Sequence, residues 1–373
     1  MLCRPLSTST AAVRSEAASV RRLLSRDDPS TNLVTAFDGS RRNGFLESRL
    51  VVRNDKLCVY VSSHGGCHMA CGQCHLTATQ QTQMKPATAK DYGAQFRAVL
   101  NELATHPNRN AFVPALKRMN IEFMARGEPL ANPNIVKRWP EVHDAMAGSA
   151  VAAVADAPFA WFPSNPTNGS SLKYHISTIM PDSFRDQSLV DSFVTGNRVP
   201  LWAVPTLYYS AWSIRSQFKE RWMPRTMPTK LALAKLSAYQ SAIATLTGNA
   251  AFAASKVIVH GAFVNGENDS TEEVLELLNT MKAVGLTARF NVIRYNPPSV
   301  GPFAPYAEST EERRVRLVQL ITAHNPGGVK CIDRVGRDVF ASCGTFIPPS
   351  DVNVPLSTTT VAPATGALAS ASH

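Results

Sequence analysis

Between residues 57 and 332 strand-like and helix-like stretches alternate almost without interruption, and this pattern admits very few architectures. Short apolar runs at 57–62, 120–124, 174–177, 201–208, 256–263, 288–293 and 329–332 read as strands. Amphipathic stretches at 89–105, 133–146, 183–194, 230–245, 271–284 and 308–324 read as the helices between them. Strands joined through helices pair in parallel, because only a long crossover returns the chain to the same end of a sheet. Some six such units predict an α/β fold, a partial (β/α) barrel, with functional residues at the C-terminal ends of the strands. Residues 46–52 add one more strand ahead of the first unit.

Composition sets the surroundings of that barrel. The chain has 373 residues, 44% of them hydrophobic, enough to bury one large core. No apolar run reaches the roughly 18 residues of a membrane span, so a soluble monomer is expected. A formal charge of +10 favours a polyanionic partner, although a merely basic surface gives the same total. Residues 1–26 are rich in Ser, Ala and Arg with Glu16 as the one acid, which fits either an organellar transit peptide or a basic arm. Residues 1–36 are therefore expected as a flexible arm, 37–346 as the catalytic domain, and 347–373 as a disordered low-complexity tail. A cytoplasmic location is expected, or a mitochondrial or plastid one if the leader is a transit peptide.

Seven cysteines are present, and Cys67, Cys71 and Cys74 form a C-x₃-C-x₂-C set directly after an apolar run. A 4Fe-4S cluster takes four thiolates, so three from one loop leave an iron open to a small molecule. A zinc site completed by His64, His68 or His75 is the alternative. Cys3, Cys58, Cys331 and Cys343 stand apart, and an odd, clustered set points to a reducing compartment.

The surroundings of that loop make the resemblance specific. Val61-Ser62-Ser63-His64-Gly65-Gly66-Cys67 is similar to the V-S-S-Q-x-G-C segment of the RlmN/Cfr family of radical S-adenosylmethionine (SAM) adenine methyltransferases. Met124-Ala125-Arg126-Gly127-Glu128-Pro129-Leu130 resembles the family's M-G-M-G-E-P-L, and Ile176-Ser177-Thr178 its L-S-T strand end. Asn291 to Pro297 resembles N-L-I-P-W-N-P, and Ala341-Ser342-Cys343-Gly344 resembles A-x-C-G. The likeness runs from about residue 45 to residue 346, with five landmarks in order.

The resemblance implies a radical SAM barrel with a short N-terminal β extension. It further implies a 4Fe-4S cluster on Cys67, Cys71 and Cys74, with SAM bound at Gly127, Glu128, Ser177, Asn296 and the strand Thr206-Leu207-Tyr208. Cys343 would be the thiol that carries the methyl group, and Glu47, fifteen positions before Ser62, the general base. The implied reaction is methylation of adenine carbon 2 in rRNA or tRNA, fed by an external donor such as flavodoxin or ferredoxin. Carbon 8, a free nucleotide or a peptide remain alternative targets within that ancestry, and a zinc-binding nucleic-acid module is the non-catalytic alternative.

Three departures accompany the likeness. Tyr208 stands where the family has His, and Tyr60 where it has the cysteine that resolves the covalent adduct by thiol exchange. Cys58, two positions earlier on the same strand face, Cys331, or an external thiol is left for that step. Only 46 residues precede Glu47, where the family has a helical RNA-binding domain, while an insertion containing Trp139, Trp161 and Phe162 lies between Glu128 and Ser177.

Overall fold

The computed structural model describes residues 20–36, 44–82, 85–156, 172–195 and 199–348. Ten strands form one sheet in chain order: β1 (Val20–Leu24), β2 (Thr31–Ala36), β3 (Phe45–Arg53), β4 (Lys56–Tyr60), β5 (Arg118–Phe123), β6 (Leu172–Thr178), β7 (Thr206–Ser210), β8 (Val257–Ala262), β9 (Arg289–Ile293) and β10 (Val329–Ile332). Pairings from β1 to β4 are antiparallel, and those from β4 to β10 are all parallel. The expected partial barrel with an N-terminal β extension is therefore the observed fold.

The helices are α1 (His75–Ala78), α2 (Ala89–Thr105), α3 (Arg109–Phe112), α4 (Pro133–Lys137), α5 (Trp139–Asp156), α6 (Ser216–Trp222), α7 (Thr229–Thr247), α8 (Ala250–Ala254), α9 (Thr271–Ala283) and α10 (Glu311–His324). Local chemistry sets their ends: Thr88 and Asp91 form a reciprocal capping box at the start of α2, and Gly248, at φ +62°, terminates α7. Among the described residues, no helix is long and apolar enough to cross a membrane.

Period-2 alternation sorts the parallel strands into two faces. Val59, Ile121, Ile176, Leu207, Val259 and Val292 are fully buried in the layer shared with the helices. The other face looks into the barrel, and it is polar: Glu122 pairs across with His175, and His260 with Asn291. The sheet stays open between β1 and β10, and residues 333–347 run back across that gap. Gly336 N–H donates to Asp28 (2.7 Å), Asn32 Nδ2 to Val339 O (3.0 Å), and Arg49 Nη2 to Thr345 O (2.7 Å).

Several expectations change here. Residues 20–36, expected as part of a flexible arm, form the β1–β2 hairpin against β3, and Arg22 of β1 pairs with Glu102 of α2 at 2.8 Å. Residues 1–19, Trp161, Phe162 and the tail from 349 on lie outside the described residues. The helix expected at 183–194 is replaced by a 3₁₀ turn (Asp182–Phe184) and a π turn (Asp191–Thr195). Short polar side chains there bond the local backbone, as Ser188 Oγ does to Asp191 N–H (3.2 Å), and so compete with an α-helical ladder. The expected helix at 133–146 divides into α4 and a longer α5.

Candidate active site

The loop after β4 carries Cys67, Cys71 and Cys74, and neighbours fix it on three sides. Cys67 N–H donates to Gln81 O (2.9 Å), and Gly72 N–H to Trp222 O of α6 (2.7 Å). The Phe303 ring covers Gly72 so closely that an added Cβ would sit 2.5 Å from it, so any larger residue here must displace that ring. The three thiols line one cavity of about 140 Å³ together with Gly127, Glu128, Asn296 and Cys343. Residues from four separated motifs therefore meet at the C-terminal ends of the strands.

Among the described residues, no three His, Cys, Asp or Glu side chains converge closely enough to hold a single metal ion. A cubane makes a different demand, one thiolate on each of three irons, and thiols spread along a cavity wall fit it. Burial pushes all three thiols up, Cys74 to about 11, and neighbouring thiols add to it, Cys343 in the case of Cys74, so a cationic centre between them would supply the charge that thiolates need. None of the three candidate histidines faces this cavity. His64 Nδ1 lies 3.0 Å from Ser63 Oγ, burial holds its imidazole down to about 4, and His75 Nε2 meets Pro297 O at 3.2 Å.

Gly127 and Glu128 form the opposite wall. Gly127 has φ +92°, and a Cβ would lie 2.5 Å from His64 Nδ1 and 2.6 Å from Ser63 Oγ, so glycine is required twice over. Glu128 is buried, and burial pushes its carboxyl up to about 7. Thr178 Oγ1 (2.7 Å), Ile179 N–H (3.1 Å) and Leu130 N–H (3.0 Å) all donate to it and oppose that rise. A carboxylate so placed attracts an ammonium group only when ionised. SAM affinity is accordingly expected to fall below about pH 7, and Glu128→Gln to weaken binding and remove this pH dependence; titration calorimetry across pH 5.5–8.5 checks both.

The remaining expected contacts separate. Asn296 borders the cavity, but its Nδ2 donates to Cys343 O (2.8 Å) and its Oδ1 accepts from Arg334 Nε (2.7 Å), so it positions the Cys343 loop. Ser177 lines neither cavity, whereas its neighbour Thr178 bonds Glu128. Leu207 is fully buried in the helix-facing core and cannot reach a cofactor; Thr206 is also buried and lines neither cavity. Tyr208 faces a second cavity, of about 340 Å³, deeper in the barrel. On that strand Ser210 lines the first cavity, followed by Trp212. Both continue the inward face of Tyr208 in steps of two, a signal available in the sequence.

Cys343 borders both cavities and is solvent-exposed where they meet. The surrounding barrel still raises its thiol by burial, while Arg49 and Arg53 pull it down. Cys58 lines the deeper cavity with Tyr60, buried, its thiol pushed up to about 12 by burial and by Glu122. Cys331 borders that cavity at the sheet edge, yet it pairs across with Val292 and so shares the helix-facing side of its strand.

Glu47 lines neither cavity. It is fully buried; Oε2 takes Arg126 Nη1 (2.8 Å), and Oε1 takes Asn32 Nδ2 (3.0 Å) and Ile347 N–H (3.2 Å), with Arg49 Nη2 at 3.7 Å. Arg126, where the family motif has Met, also donates to Gly65 O (3.1 Å) and to Gln81 Oε1, and stacks on Phe45 at 3.9 Å. The pair thus ties the cluster loop to the segment after Cys343, an anchoring role that the motif comparison missed.

No family model matches the chain. A dual-specificity RNA methyltransferase RlmN of Chelativorans sp. (strain BNC1) is 25% identical over 325 residues, 84% of this chain and 67% of that protein. Its namesake in Methylobacterium sp. (strain 4-46) is 26% identical over 314 residues, 81% and 62% respectively. The chain thus spans about two thirds of the length of these relatives. Among solved structures, a radical SAM methyltransferase from Sphaerobacter thermophilus shares the fold at a TM-score of 0.59 and 19% identity, over 88% of this chain and 80% of that one. Likeness in sequence to proteins named dual-specificity RNA methyltransferase RlmN thus extends over four fifths of the chain, on the fold of the Sphaerobacter thermophilus radical SAM methyltransferase.

Proposed function

We propose that the chain is a radical SAM methyltransferase that modifies carbon 2 of an adenine in RNA, with Cys343 as the methyl carrier. The observation that carries this reading is the single cavity in which Cys67, Cys71, Cys74, Glu128 and Cys343 meet. Cys67, Cys71 and Cys74 would hold a 4Fe-4S cluster, which, when bound with SAM, supplies the electron for reductive cleavage of the sulfonium. Glu128, ionised, would hold the SAM ammonium group.

The Cys343 thiolate, which burial disfavours and Arg49 and Arg53 partly offset, would take a methyl group by displacement at the sulfonium carbon, releasing S-adenosylhomocysteine. Asn296 holds that residue's carbonyl, so its sulfur is presented from a fixed backbone. Cys58 shares the inner cavity with Cys343 and is the better-placed partner for the later thiol exchange, although its raised pKa makes that step slow. The net charge of +10 suits a nucleic-acid substrate, whose target base would be unstacked.

The test is anaerobic incubation of the cluster-loaded protein with methyl-labelled SAM and total RNA, followed by nucleoside analysis. Label is expected in methyladenosine with the wild type and absent with Cys343→Ala, which still forms 5′-deoxyadenosine. Labelled RNA from Cys343→Ala would remove the carrier role, and no labelled RNA from the loaded wild type would remove the RNA substrate.

A further inference from the structure

The lumen beneath Cys343 is polar where barrel interiors are ordinarily packed with branched apolar side chains. Its cavity of about 340 Å³ is of the size at which small-molecule sites begin. Midway along it the Tyr208 ring lies between two imidazoles, His175 at 4.9 Å and His260 at 4.6 Å. Glu122 faces the same space. Its Oε1 takes His175 Nδ1 (2.8 Å) and Asn120 Nδ2 (3.2 Å), while Oε2, fully shielded, has no hydrogen-bond partner in a residue only 4% exposed. His260, on the same wall, is held in place by Asn291, whose Nδ2 lies 3.1 Å from His260 Nε2.

At the N-terminal ends of the strands the cavity is ringed by Arg53, Lys56, Arg289 and Lys330. These charges sense one another: burial first, then Lys56, Arg289, Arg53 and Arg118, lower the Lys330 ammonium. Of the five, Arg118 alone is ion-paired among the described residues, to Asp55 at 3.0 Å. Asp333 is the one acid besides Glu122 on the cavity wall, and it offers its backbone carbonyl to Arg53 (3.2 and 3.3 Å). Cations held together against their own repulsion form a site for an anion.

The geometry points to a pocket for a free nucleoside monophosphate inside the barrel, sharing only Ile293 and Cys343 with the cavity of the cluster loop and going beyond the RNA methyltransferase reading. The cationic foot takes the phosphate, and Tyr208 and His260 on the cavity wall flank the base. Cys343 borders the same space. A free nucleotide fits better than a residue within a polymer, because the cations lie at the strand ends opposite the cluster loop.

Equilibrium dialysis of the full-length protein at low ionic strength, with labelled adenosine 5′-monophosphate, adenosine and inorganic phosphate as separate probes, tests this. The monophosphate is expected to bind once per chain, at least about tenfold more tightly than either fragment. Arg289→Ala and Lys330→Ala should each weaken it at least about fivefold at unchanged melting temperature, and His260→Ala should weaken the monophosphate and adenosine but not phosphate. Absence of binding, phosphate binding as tightly as the monophosphate, or affinity unmoved by both cation variants would overturn the proposal. Equal competition by an RNA pentanucleotide would assign the pocket to the polymer and overturn the free-nucleotide claim. The measurement requires neither cluster nor turnover, so its failure is distinguishable from failure of the methyltransferase reading.

Discussion

Cys67→Ala, Cys71→Ala and Cys74→Ala are each expected to lose the iron–sulfur cluster and with it all cleavage of SAM. Each thiol would hold its own iron, and the loop cannot slide to compensate: Gly72 is trapped under Phe303, and Cys67 is tied by its backbone to Gln81. Cys343 is the fourth thiol on that cavity and could act as a makeshift ligand. Each substitution is therefore also made in a Cys343→Ala background, with iron and sulfide per chain and 5′-deoxyadenosine as readouts. Loss in both backgrounds is the expected result. Retention of iron and sulfide at wild-type levels in all three single variants would rule out the cluster, and zinc recovered in place of iron would favour the metal-binding alternative.

Motif residues that sit in loops at strand ends were legible from the sequence, because their roles depend on local geometry that short motifs encode. Gly127 needs positive φ and has no room for a Cβ, and Glu128 caps the turn that follows. Contacts spread along a strand were not legible in the same way. Reading Thr206, Leu207 and Tyr208 as one contact strand ignored the alternation that buries Leu207 among the helices and turns Tyr208 into the lumen. Nor could composition show that residues 20–36 form a hairpin whose second strand pairs with β3, since the partners that order them are distant in sequence: Glu102 for Arg22, Asp338 for Ser25 and Val339 for Asn32. Those contacts close the open side of the barrel and hold the segment carrying Cys343. The polar lumen is likewise a product of register, which sets Glu122 opposite His175 and His260 opposite Asn291.

Substitution of Glu47 is expected to be among the most destabilising in the chain. Arg126 and Arg49 are each 1% exposed, and Glu47 is the carboxylate between them. Removing one partner of a buried pair leaves the other charge without compensation, at a cost of about 3–5 kcal/mol, a large part of the roughly 5–15 kcal/mol by which a folded protein is stable. Glu47→Gln keeps the shape and loses the charge, so chemical denaturation should show nearly the full penalty. Iron retention should fall as well, because Arg126 links Glu47 to Gly65 and Gln81 beside the cluster loop. A general base predicts a different pattern: Glu47→Gln would unfold like the wild type, keep its iron, and fail only in turnover, with protein trapped on RNA through Cys343. Double substitution with Arg126→Met separates the two cases further. Loss of the paired charge on both sides should recover part of the stability if Glu47 acts as an anchor, and should recover nothing if the carboxylate acts on substrate.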